Sequence, residues 1–206
     1  MRKYLLPFLV FVFLLVSLNG CAKREEEEEV VYSGGIKVNL TEEEIQEAIN
    51  WGAEKKDSEH IFLSYSFGGR GYPPQEDGMI HTKFFGLAYL GYRLARKHKS
   101  PEKAEIEAIL HSYEEYFGID ISTYGDEIDF AKDYYIVLRQ GIKIIEAVST
   151  DRWADTTDYF PESPSYKATV TSIFPYSEID PKGKTTIILV KDREESRFEV
   201  DFSRYK

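Results

Sequence analysis

The chain has 206 residues, a formal net charge of −10 at neutral pH and a single cysteine. This length is enough for one ample domain or for two small ones. A surface this acidic repels phosphate backbones, so the composition disfavours a nucleic-acid partner. A single cysteine also excludes an internal disulfide and a zinc site built from several cysteines.

The first 21 residues have the layout of a secretory signal. Arg2 and Lys3 precede an apolar run from Leu5 to Val16, and Leu18-Asn19-Gly20-Cys21 follows it. This run is shorter than the roughly 20 residues that a membrane-spanning helix needs. The ending resembles the lipobox of bacterial lipoproteins, in which the cysteine thiol receives a diacylglycerol and the peptide is cut before it. The resemblance implies that Cys21 is the lipidated start of the mature chain.

The same resemblance implies a location at the cell envelope. Removing residues 1–20 takes away two basic residues, so the net charge of the remaining 186 residues becomes −12. The acidic chain repels anionic lipid headgroups, so we expect the acyl chains on Cys21 to provide the membrane contact. Ala22 after the cysteine implies the outer membrane in a Gram-negative source, and otherwise the outer face of the cytoplasmic membrane. Residues 21–38 include five consecutive glutamates and are expected to form an acidic tether.

Residues 39–118 are predicted to be the helical part. Thr41 and Glu44 fit a capping box, so a first helix begins there and presents one apolar face. A second helix is predicted from Met79 to Lys99, and its two apolar stripes place it between other elements. A third helix is predicted to start at Ser100-Pro101 and to close at Gly118.

Residues 119–206 are predicted to be the β-rich part, because the apolar period drops to two. Arg139-Gln140-Gly141 indicates a tight hairpin turn, and Asp180-Pro181-Lys182-Gly183 indicates a second turn. The three aspartates and two prolines between Asp151 and Ser165 indicate a long loop. We therefore predict an α+β fold with N-terminal helices followed by an antiparallel β-sheet or an immunoglobulin-like β-sandwich.

The glycine-rich loop 68–74 is the most attractive candidate site. Arg70 lies between glycines that let the backbone approach a ligand, and its guanidinium can bind a carboxylate or phosphate. Tyr72 and His81 are close to it in sequence, and His81 with Arg70 and Glu76 is a possible acid–base group. An ordered turn in which Arg70 binds backbone carbonyls explains the same residues without a ligand. The spacing also lacks the lysine of a phosphate-binding loop.

Other candidate residues have ordinary structural explanations. His60, His98 and His111 do not form a zinc-protease pair with an adjacent glutamate. Two groups of aspartates offer oxygens for calcium but match no EF-hand spacing, so solvated loop charges explain them better. The first group is Asp126, Asp129 and Asp133, and the second is Asp151, Asp155 and Asp158. No serine lies in a nucleophile-elbow motif, and we expect neither a metal nor another cofactor.

Two functional hypotheses follow. The first is a membrane-anchored envelope lipoprotein with a non-enzymatic protein-binding or assembly role, whose partner is another envelope protein. The second is a small-ligand-binding or hydrolytic enzyme with a site near loop 68–74, centred on Arg70, Tyr72 and His81. A lipid-tethered spacer without a specific ligand remains open as a third.

Overall fold

The computed structural model describes residues 34–58, 61–69 and 74–206. Within these ranges the fold is α+β, with three α-helices and two antiparallel β-sheets. The helices are α1 (Glu42–Glu54), α2 (Lys83–Ala95) and α3 (Lys103–Ser112). The strands are β1 (Ser66–Gly68), β2 (Asp77–His81), β3 (Tyr116–Gly125), β4 (Tyr135–Gln140), β5 (Lys143–Glu146), β6 (Ser149–Thr156), β7 (Tyr166–Pro175), β8 (Lys184–Lys191) and β9 (Glu194–Asp201).

The strands form one five-stranded and one four-stranded sheet. The order in the five-stranded sheet is β1-β2-β3-β7-β6, and the order in the four-stranded sheet is β5-β4-β8-β9. The sequence left open a single sheet or a sandwich, and the described chain has two sheets. Strands β7 and β8 are consecutive in the chain but belong to different sheets, so the predicted turn at residues 180–183 leads from one sheet to the other.

One hydrophobic core joins both sheets and two helices. Ile119 and Ile121 of β3 face it from the five-stranded sheet, and Leu138 and Ile187 face it from the four-stranded sheet. Phe84 of α2 is completely buried in the same core. Burial of such apolar side chains is the main favourable term in folding, because it removes apolar surface from water.

The N-termini of α1 and α2 are both capped by threonine side chains. Thr41 accepts a hydrogen bond from the backbone of Glu44, whose carboxylate in turn accepts from the Thr41 N–H. This is the predicted capping box, and it is confirmed. Thr82 accepts from the N–H of Phe85 and starts α2, which begins four residues later than predicted.

The residues before Thr82 form a strand rather than helix. Ile80 pairs with Ile119 and is completely buried, so its apolar side chain packs into the core from the sheet. The prediction that Met79–His81 is helical is therefore wrong. Ile80 lies four residues before Phe84, and this spacing agrees by coincidence with the stripe of α2.

The boundaries of α3 and the loop after Asp151 were also predicted wrongly. The N-cap of α3 is Glu102, and Gly118 lies within β3 instead of closing a helix. Residues from Asp151 to Thr156 belong to β6, an edge strand. This strand buries little of either face, so its sequence shows no apolar alternation to reveal it. The predicted hairpin at residues 139–141 is confirmed by the pairing of β4 with β5.

Candidate functional site

The five-stranded sheet has one face against the core and one face turned away from it, which we call the outer face. On β3, Ile119, Ile121 and Thr123 are buried on the core side, and Asp120 and Ser122 alternate with them on the outer face. Residues that pair directly across strands share a face, which gives the rest of its members. They include Asp77, Met79 and His81 of β2, Tyr124 of β3, Lys167, Thr169, Thr171 and Ile173 of β7, and Asp151, Trp153 and Asp155 of β6.

A histidine and an aspartate are in contact at one end of the outer face. Nε2 of His81, the last residue of β2, lies 2.9 Å from Oδ2 of Asp120 on β3. Nε2 of His81 and Oδ1 of Asp120 are both buried and make no hydrogen bond with the described part of the chain. The two groups are therefore in close contact, but they do not form a well-aligned hydrogen bond. The His81 ring also meets the Phe85 ring edge-on, with 4.7 Å between centroids.

Asp120 is held in its ionised form by this contact. Burial alone opposes ionisation, but the interaction with His81, helped by the Thr171 hydroxyl, outweighs it and lowers the pKa of the Asp120 carboxyl. Burial and the nearby charge of Asp120 raise the pKa of the Tyr113 phenol, so this phenol remains protonated. The end of the outer face thus combines an acceptor carboxylate with a phenolic donor.

A cavity of about 450 Å³ adjoins this pair. One wall comes from α3 and the residues after it, and the other comes from β3 and β7. Its lining is mostly apolar or aromatic and is polar at His81, Asp120, Ser112 and Thr171; the remaining members are Ile109, Tyr113, Tyr116, Phe117, Gly118 and Ile173.

A second cavity, of about 430 Å³, lies at the other end of the outer face beside Gly69. Asp77, Tyr124 and Lys167 line it, and the Lys167 ammonium is 5.9 Å from the centroid of the Tyr124 ring. Burial and the charge of Asp77 raise the pKa of the Tyr124 phenol. This cavity is more polar than the first and adjoins the described ends of the glycine-rich loop.

Trp153 lies between the two ends on the edge strand β6. It is 63% exposed, although it is the largest side chain on the outer face. Thr169 is directly opposite it on β7. The exposed indole gives this face a large apolar contact surface with a polar N–H group.

The structure separates His81 from Glu76, one of the residues that sequence proximity had grouped with it. His81 and Asp77 are the two ends of β2, so their Cα atoms are about 13 Å apart. Glu76 accepts a hydrogen bond from Thr123, which points to the core, so Glu76 does not join His81. Arg70, Tyr72 and Cys21 lie outside the described residues.

The other candidates have local partners. Nδ1 of His111 is 3.0 Å from the Glu114 carboxylate on the surface. Asp126 accepts hydrogen bonds from Ser163 and from the N–H of Ser165. Across residues 34–58, 61–69 and 74–206, no three His, Cys, Asp or Glu side chains converge as metal ligands would. His60 lies outside the described residues.

Asp120 is the candidate residue that the sequence interpretation missed. Its position between Ile119 and Ile121 in an alternating strand already indicates the side of the sheet away from the core. Its partner could not be identified while His81 was assigned to a helix. The register of β2 against β3 brings the two side chains together.

The described chain is thus an α+β protein with two candidate ligand cavities on the outer face of one sheet. A scan against models of protein families, a search of curated proteins and a search of solved structures each gave no match. Among the described helices, none has the length and apolar character to cross a membrane.

Proposed function

We propose that this protein is a membrane-anchored envelope lipoprotein with a non-enzymatic binding role, and that it holds a partner protein against β6. The single observation that carries the proposal is Trp153, which is 63% exposed on an edge strand. Tryptophan is among the residues that contribute most to protein–protein binding when a partner buries them.

The edge position of β6 adds a second means of attachment. An edge strand has backbone N–H and C=O groups that no neighbouring strand of its own sheet binds. A partner that adds a strand to such an edge gains backbone hydrogen bonds while its side chains contact the same face. A strand added beside β6 would lie next to Trp153, so one segment of the partner would use both features.

The charges around Trp153 favour a basic partner surface. Asp151 and Asp155 flank the indole on the same face of β6, and both side chains are exposed. Lys167 opposes Asp155 and offsets one of these charges. Complementary charge accelerates encounter and selects among partners more than it adds affinity. The partner's contacting segment is therefore expected to carry lysine or arginine.

The lipid anchor determines where this partner is found. We propose that Cys21 carries the lipid and holds the protein at the envelope, in the outer membrane if the source is Gram-negative. About thirteen residues run from Cys21 to the first described residue, Gly34, and at about 3.4 Å each they reach at most about 45 Å from the membrane. A partner within this distance is expected to be another envelope protein.

The test is a pull-down from detergent-solubilised membranes with the lipid on Cys21 intact. We expect a near-stoichiometric protein that Trp153→Ala loses. Tyr135→Ala is the matched control, because Tyr135 is an exposed aromatic residue on the four-stranded sheet. A partner that Trp153→Ala retains would contradict the proposed interface. A saturable hydrolytic activity abolished by His81→Ala would contradict the non-enzymatic role.

A second candidate function is small-ligand binding beside the glycine-rich loop. The observation that favours it is the cavity of about 430 Å³ at Gly69, with a carboxylate from Asp77 and an ammonium from Lys167. Its size is within the range of small-molecule sites, about 300–1,000 Å³. A thermal-shift panel of sugars, carboxylates and nucleotides tests it, with Lys167→Gln as the variant. A ligand at a hundred times its dissociation constant adds about 2.7 kcal/mol of stability. Absence of any shift would count against this candidate.

A further inference from the structure

We propose that the cavity beside His81 and Asp120 binds a small primary amine with an apolar or aromatic body. This site is separate from the proposed partner interface, which uses Trp153 on the edge strand β6. The inference therefore does not depend on the proposed function.

The first step is the hydrogen-bonding capacity of the pair. The Asp120 side chain lines the cavity and is 31% exposed, and its Oδ2 lies 2.9 Å from Nε2 of His81. An ionised carboxylate can only accept hydrogen bonds, so a ligand group that contacts it must be a donor. A primary ammonium offers three donors to this position.

The second step is the charge of the site. Among the described residues that line the cavity, His81 is the only basic side chain, and its ring carries a charge only when it is protonated. With His81 neutral, the pair has a net negative charge that a cationic ligand offsets. The acidic chain as a whole also attracts cations. These charges favour an ammonium group over a hydroxyl group and strongly disfavour a carboxylate.

The third step is the apolar wall. Ile109 on α3 and Ile173 on β7 line the cavity together with the rings of Tyr113, Tyr116 and Phe117. An apolar body placed here leaves water, and aromatic faces attract an ammonium group in addition. The volume of about 450 Å³ is that of a small-molecule site. A ligand with a cationic head and an apolar body fits both parts of the lining.

The experiment is calorimetric titration of the folded mature protein with three probes that share a phenyl body. These are 2-phenylethylamine, 2-phenylethanol and 3-phenylpropionate. We expect the amine to bind at least about tenfold more tightly than the alcohol, and the acid not to bind. Asp120→Asn keeps the shape of the side chain and removes its charge, and we expect it to weaken amine binding by about tenfold or more. Asp133→Asn removes an exposed carboxylate that does not line the cavity, so it is the control and should not change amine binding.

A second variant keeps the test decisive if Asp120→Asn does not fold. Gly118 lines the cavity, and a Cβ added there would lie 3.4 Å from Cβ of His81, which is ordinary contact. Gly118→Ala therefore puts a methyl group into the cavity, and we expect weaker amine binding. Amine binding that neither variant changes, equal affinity for the alcohol, or no amine binding would each overturn the proposal. Trp153→Ala should retain amine binding, so the outcome of this experiment does not depend on whether Trp153 binds a partner protein.

Discussion

Gly52 of α1 lies directly against Ala88 of α2, so closely that a Cβ added to Gly52 would be 1.8 Å from the Ala88 carbonyl oxygen. Gly91 of α2 makes the reciprocal approach, because its added Cβ would be 2.2 Å from the Ile49 carbonyl oxygen. The two helices thus pack backbone to backbone at a pair of glycines. Backbone atoms cannot turn aside as a flexible side chain can, so these two positions require glycine.

The first prediction concerns this helix contact. Gly52→Ala must push α1 and α2 apart, and overpacking of this kind typically costs about 1–3 kcal/mol. Because the clash is with backbone, we expect a loss of unfolding free energy at the upper end of that range, measured by urea denaturation. Gly34→Ala is the control, because its added Cβ meets only the Lys37 side chain at 3.7 Å. Equal stability of the two variants would contradict the packing.

The second prediction compares the two threonine caps. Thr82 is completely buried, accepts from Phe85 and donates to the Lys206 carbonyl, whereas Thr41 is exposed and accepts from Glu44. Loss of an N-cap side chain costs about 0.5–2 kcal/mol. We expect about 2 kcal/mol for Thr82→Ala and about 1 kcal/mol for Thr41→Ala. Thermal unfolding of both variants measures the difference, and a larger loss at Thr41 would contradict the proposed role of burial.

The third prediction concerns the pH dependence of stability. The pKa of the Asp120 carboxyl is lowered in the folded protein, so its ionisation is more favourable there than in the unfolded chain and stabilises the fold. This stabilisation is complete above the unfolded-state pKa, about 3.9, and is lost as the pH falls through the lowered folded-state value. We expect the stability of the wild type to fall more than that of Asp120→Asn between neutral pH and about pH 3.

Urea unfolding across this pH range measures the difference between the two proteins. Asp151→Asn serves as the control, because Asp151 is an exposed residue for which we expect no such difference. Parallel pH profiles for the wild type and Asp120→Asn would show that the contact with His81 does not stabilise the ionised carboxylate.

The fourth prediction concerns the anchor. Cys21→Ser removes the thiol to which we propose that the lipid is attached, so we expect no incorporation of labelled palmitate and release of the protein from the membrane fraction. In a Gram-negative host, Ala22→Asp should leave the lipid in place and move the protein to the inner membrane. Membrane fractionation measures both effects. Labelled Cys21→Ser protein would contradict lipidation at this residue, and unchanged sorting of Ala22→Asp would contradict the outer-membrane assignment.

The sequence by itself determined the features that depend on neighbouring residues. The capping box of Thr41 with Glu44 and the hairpin around Gly141 were predicted because each requires particular residues at fixed short spacing. The φ of +61° at Gly141 is the backbone conformation that glycine provides there. The change from helical to strand period likewise gave the α+β class, because each period follows from local geometry.

Only the tertiary structure decided which distant residues meet. Ile80 fits a helical stripe and a strand, and its pairing with Ile119 on β3 selected the strand. That register brought His81 to Asp120, whose positions are 39 residues apart in the sequence. Strand β6 shows no local signal because it buries little of either face, and its pairing with β7 defines it. Local geometry specifies short elements, whereas sheet pairing depends on contacts whose partners a single sequence does not identify.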